Sequence, residues 1–137
     1  MRKRTRGREL ALQVLYQIDI TAEESDAVLN NFWELREEAV TDDVKVFTSE
    51  LVKGVVQHLT AIDETISRYA TNWQLKRMAV VDRNVLRLSC FELTLRADIP
   101  PKVSINEAVE LAKKYSGPEA GKFVNGILDR IKAEQNK

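Results

Sequence analysis

From Arg8 to Ile20 the apolar residues Leu10, Ala11, Val14, Leu15 and Ile18 recur at intervals of three and four with polar residues between them. That period predicts an amphipathic helix with one buried stripe. A second helix is expected from Ser25, as its N-cap, to about Glu38, burying Val28, Leu29, Phe32, Trp33 and Leu35. Thr41 with the acidic pair Asp42 and Asp43 marks a third start, because carboxylates are favourable at the positive end of a helix dipole; Val44, Phe47, Leu51, Val52, Val55 and Val56 carry it towards His58. Thr60 and Asp63 have the spacing of a capping box for a fourth helix bearing Ile62, Ile66 and Tyr69.

From Val80 to Leu95 the chain is apolar nearly all round, which predicts a helix at the centre of the fold, ended by Ile99, Pro100 and Pro101. Ser104 and Glu107 read as a capping box, with Val103 stapled against Ala108, for a helix reaching about Tyr115 and burying Ile105, Ala108, Val109 and Ala112. Gly117 and Pro118 separate it from a last helix whose stripe is Phe123, Val124, Ile127, Leu128 and Ile131. Sustained two-residue alternation is absent, so the pattern predicts an all-α fold of about seven helices without internal repeats.

The length of 137 residues suits a single domain, and a 44% apolar, 31% charged composition is too hydrophobic for a disordered chain. No apolar run approaches the ~18 residues of a membrane span, and the basic N-terminus lacks the apolar stretch of a secretory signal, so a cytoplasmic protein is expected. The single Cys90 and single His58 do not make a zinc site; a Cys90–His58 nucleophilic pair would need a thiolate inside an apolar stripe. Gly117 to Lys122 reads G-P-E-A-G-K, yet it is one residue short of a phosphate loop, Phe123 stands where a hydroxyl is required, and a helix precedes it. Glu107 and Glu110 share a helix side but read as solvated charges. No cofactor, metal or catalysis is expected.

Net charge is zero, but Arg2, Lys3, Arg4, Arg6 and Arg8 crowd into the first eight residues and leave the remainder net acidic. A flexible cationic arm on an acidic body suits either a polyanion partner or a solubilising role. Five phosphates neutralised by that arm would set a salt slope near −3.5 on single-stranded RNA, at about −0.7 each. Tyr16, Trp33, Tyr69, Trp73 and Phe123 supply rings of the kind that stack unpaired bases, although Trp33 fits a core position. Gly126, inside the last helix, suggests close approach by another helix or a ligand, and Asn125 beside it calls for a polar partner.

Three segments carry a family resemblance: Arg8-Glu-Leu-Ala-Leu-Gln-Val-Leu-Tyr16-Gln17; Asp82-Arg-Asn-Val-Leu-Arg-Leu88 with Phe91-Glu92-Leu93; and Ile99-Pro through Val103-Ser-Ile-Asn-Glu-Ala-Val-Glu-Leu-Ala-Lys113 to Lys122-Phe-Val-Asn-Gly126. With Ile62-Asp63 and Trp73 ahead of Arg77, their order resembles the bacterial NusB family of transcription antitermination factors along nearly the whole chain. The resemblance implies two packed three-helix bundles plus one extra helix: a basic arm over residues 1–8, then bundles over about 9–59 and about 60–137. It also implies binding to single-stranded boxA RNA of nascent ribosomal RNA transcripts, with the ribosomal small-subunit protein NusE and the transcription elongation complex as partners. A homodimer stays open. By the same resemblance, RNA contacts are expected at Arg2, Lys3, Arg4, Arg6, Arg8, Tyr16, Tyr69, Lys76, Arg77, Arg83, Lys122, Phe123 and Asn125. Gly7 departs from the family, which favours a helix former there. Two other readings are a helical accessory domain like the N-terminal part of ribosomal RNA methyltransferases, and a purely protein-binding module.

Overall fold

The computed structural model describes residues 2–135, and Met1 of the expected arm lies outside them. Seven α-helices and no strand occur among the described residues: α1 Lys3–Thr21, α2 Ser25–Glu34, α3 Asp42–Gln57, α4 Leu59–Tyr69, α5 Val80–Leu95, α6 Pro101–Ser116 and α7 Pro118–Gln135, with a 3-10 turn at Leu75–Arg77. The chain divides into two compact units, Met1–Gln57 and His58–Lys137.

The first unit holds α1 to α3, packed on one another around the fully buried Leu10, Val14, Val28, Leu51 and Val52. The basic segment is no loose arm. It forms the first turns of α1, which begins at Lys3 rather than near Arg8 and runs straight through Gly7. Glycine weakens a helix, yet here it permits contact: a Cβ at Gly7 would stand 2.7 Å from Phe47 Cδ2, and the Thr48 hydroxyl donates to the Gly7 carbonyl at 3.1 Å. The α2 helix is shorter than its periodicity suggested and is capped by Glu24, whose carboxylate accepts from the amides of Asp26 and Ala27 at 3.0 and 3.1 Å. Ser25 is therefore the first helical residue and not the cap.

The second unit is built on α5, which packs against α4, α6 and α7. Val85, Leu86, Val124, Leu128 and Ile131 fill its core. Asp63 does not cap α4. Its carboxylate accepts two hydrogen bonds from the Arg87 guanidinium, at 2.8 and 3.0 Å, a forked charge pair that ties α4 to α5. Ser104 and Glu107 likewise lie inside α6, because Pro101 already starts that helix at the position where a missing N–H costs nothing. The Ser104 hydroxyl is buried against that of Ser89 at 2.9 Å, and Val103 is exposed rather than stapled. Gly117, with φ at 101°, ends α6 in a conformation that side chains rarely adopt. Among the described residues no helix is long and apolar enough to cross a membrane.

Candidate nucleic-acid interface

In the first unit, helical geometry spreads the N-terminal cations around α1 and gives several of them partners within the protein. Lys3 Nζ donates to Asp43 Oδ2 at 2.8 Å, and Arg6 donates to Glu38 Oε2 at 2.6 Å and also to Glu9. The hydrogen bond from Lys3, assisted by Thr41, holds the Asp43 carboxyl down at about 2. Hydrogen bonds from Arg6 and then Arg36 hold Glu38 below the usual carboxylate range. Burial works against the Arg6 charge, but its bonds to Glu38 and Glu9 prevail and raise its pKa. Arg4 and Arg8 lie against the Phe47 ring at 4.6 and 5.5 Å from its centroid. Arg8 is only 3% exposed, so packing and not solvent receives its guanidinium. Arg2, Lys3 and Arg4 remain at the surface, and Lys3 and Arg4 border a cleft of about 540 Å³ whose walls include Phe47 but also Asp43 and Glu50. Further along α1, Tyr16 is 41% exposed and Ile20, one turn on, is exposed beside it.

In the second unit some of the expected residues, Tyr69, Arg77, Lys122 and Phe123, line clefts beside α7. Arg83 donates to the Lys76 carbonyl at 3.3 Å, so it braces the turn that displays Lys76 and Arg77 to solvent. Trp73 is 57% exposed and meets Phe123 edge to face, with ring centroids 5.8 Å apart and planes at 77°. This ring pair separates two clefts. On one side, about 520 Å³ is bounded by Arg77, Met78, Asp82 and Glu119, and Asp82 Oδ1 is buried there without a hydrogen-bond partner. On the other, about 230 Å³ is bounded by Tyr69, Asn72, Lys122, Gly126 and Arg130, and its lining contains no carboxylate.

Arg130 was not among the residues singled out from sequence, and Trp73 was named there only as a candidate stacking ring. Arg130 donates to the Tyr69 carbonyl at 3.0 Å, closing the end of α4 while its charge faces the cleft. Its spacing of seven residues from Phe123 and four from Gly126 places all three on one face of α7, a signal present in the sequence. Asn125 is exposed on α7 but lines neither cleft. Gly126 meets no other helix: nothing lies within 4 Å of where its Cβ would stand. Lys122 is exposed, with Glu119 at 3.5 Å as a loose neighbour.

Cys90 is buried, and that burial, with the nearby Asp63 charge adding to it, pushes its thiol up to about 12, so it offers no nucleophile. His58 stacks on Phe91 at 6.4 Å. Among the described residues no group of three or more His, Cys, Asp and Glu is arranged to hold a metal ion.

The NusB family model matches residues 5–133. The transcription antitermination protein NusB of Anaeromyxobacter dehalogenans is 56% identical over 129 residues, covering 94% of this chain and 89% of the relative. That of Myxococcus xanthus is 48% identical and covers 100% and 99%. Among solved structures, the antitermination factors NusB and NusE in complex with double-stranded RNA include a chain that superposes with a TM-score of 0.87 at 32% identity, covering 98% of both chains.

Proposed function

This chain belongs to the NusB family, and we propose from that membership that it is a cytoplasmic transcription antitermination factor that binds boxA RNA of nascent ribosomal RNA transcripts together with NusE, within the elongation complex and without catalysis. The observation that carries the RNA reading is the small cleft beside α7, where the Trp73–Phe123 pair and Tyr69 stand with Lys122 and Arg130 and the lining holds no carboxylate, Glu119 pairing loosely with Lys122 from outside it. Cations attract phosphates irrespective of sequence, and exposed rings stack bases. The exposed cations at the start of α1 and the Lys76–Arg77 turn offer further phosphate contacts on their respective units.

The rings favour unpaired bases, whose faces are free, over a duplex that hides them. Titrating labelled boxA RNA, single-stranded and as a duplex, with and without saturating NusE, tests the reading. The expected result is tighter binding to the single strand and a gain in affinity from NusE that equals the gain in NusE affinity from RNA, as linkage requires. Equal, weak binding to every RNA with no effect of NusE would overturn it.

A further inference from the structure

The segment between α2 and α3, residues 35–41, sets Glu38 against two guanidiniums at once. Arg6 Nη2 and Arg36 Nη2 both donate to Glu38 Oε2, at 2.6 and 3.1 Å. The three side chains are unequally held. Those of Arg6 and Arg36 are 23% and 21% exposed, whereas that of Glu38 is 52% exposed and its backbone lies outside any helix. Each guanidinium is also fixed from behind. Arg6 donates to Glu9, while Arg36 lies 4.8 Å from the Phe32 ring centroid and donates to Gln13 Oε1 at 3.4 Å. Withdrawal of the carboxylate would therefore leave two oriented guanidiniums in place. Arg36 Nε is buried without a hydrogen-bond partner, so one donor of the group is unsatisfied even with Glu38 present. Converging guanidiniums suit a phosphate as well as they suit a carboxylate. The exchange also balances in charge, because a phosphodiester carries the same single negative charge as Glu38.

We propose that Arg6 and Arg36 form a phosphate seat for the bound RNA, and that Glu38 fills this seat in the free protein as an internal competitor. The proposal rests on the RNA-binding reading above and adds Arg36 to the phosphate contacts of the first unit. A strand already held by other contacts delivers a phosphate to the seat at high local concentration and displaces Glu38, whereas a free anion meets an occupied seat.

The test uses the full chain, labelled single-stranded boxA RNA and inorganic phosphate, with the variants Glu38→Gln, Glu37→Gln and Arg36→Gln. Glu38→Gln should raise RNA affinity about fivefold, the scale of one partly exposed ion pair. Glu37 is exposed one residue away, so Glu37→Gln removes the same charge without emptying the seat and should change affinity less than about twofold. In an Arg36→Gln background Glu38→Gln should lose most of its gain, since one wall of the seat is gone. Inorganic phosphate should shift the side-chain Nε–H resonances of Arg6 and Arg36 in Glu38→Gln and leave them in place in the wild type. Equal gains from Glu37→Gln and Glu38→Gln would reduce the effect to general repulsion and overturn the seat. Wild-type RNA affinity in Glu38→Gln, or arginine resonances that phosphate does not move in that variant, overturns it too; all three outcomes leave the RNA-binding reading intact. Absence of boxA RNA binding by the wild type and Glu38→Gln alike, with or without NusE, overturns both.

Discussion

Gly7 of α1 lies so close to Phe47 of α3 that an added Cβ would stand 2.7 Å from the ring, nearer than carbon atoms pack. Phe47 is buried and has Arg4 and Arg8 against it, so it has little room to retreat. Gly7→Ala should therefore destabilise the protein. Overpacking costs about 1–3 kcal/mol, against roughly 1 kcal/mol regained from helix propensity. Pairing it with Phe47→Leu should make the alanine nearly neutral relative to Phe47→Leu alone. Urea denaturation of the four proteins measures this; additive losses would show that the ring and the glycine do not meet.

The same contact explains why the start of α1 was hard to read. A glycine among cations looks like a frayed arm, and the groups that order it are distant in sequence: Asp43 is 40 residues from Lys3, Glu38 is 32 from Arg6, and the Phe47 ring belongs to α3. Helix bodies were legible because burial imposes its period locally, as in α5 and α7. The start of α3 at Asp42 and the Gly117–Pro118 break were legible too, but other caps were not, since a serine or aspartate can meet other needs: Asp63 is taken by Arg87, and Ser104 by Ser89. Of the candidate site, Tyr69, Lys122 and Phe123 were expected because the family resemblance implies RNA contacts there. Arg130 shares the Phe123 face of α7 by its spacing, but its bond to the Tyr69 carbonyl depends on the end of α4 coming against α7, which no local pattern shows.

Cys90 predicts an alkaline weakness. The thiol in the unfolded chain titrates near 9.0, whereas burial keeps the folded one protonated to about 12. Between those values the unfolded state releases a proton that the folded state retains, so stability falls as pH rises, by roughly 1 kcal/mol per pH unit. Cys90→Val should remove that component of the slope between pH 9 and 11. At pH 8, a thiol reagent should modify the wild type only as fast as the protein opens. Immediate modification of the native protein would contradict the buried thiol.

The N-terminal cations give the last prediction, which differs from the one their number suggests. Five cations would make a slope of about −3.5 in log affinity against log salt, but Arg8 is packed on Phe47 and Arg6 is held by Glu38 and Glu9. The exposed group is Arg2, Lys3 and Arg4. Replacing these three with alanine should flatten the slope for boxA RNA by about two units, at roughly 0.7 per phosphate. Arg8→Ala should instead leave the slope unchanged and lower the melting temperature, because it removes a buried cation from an aromatic face. Lys3 must also leave Asp43 to reach a phosphate. Asp43→Asn should therefore raise RNA affinity at low salt by up to about fivefold, the scale of an exposed ion pair. Anisotropy titrations at several salt concentrations, with melting curves for each variant, separate these effects. An Arg8→Ala variant that melts like the wild type yet loses salt sensitivity would return Arg8 to the RNA surface and refute this division of the cluster.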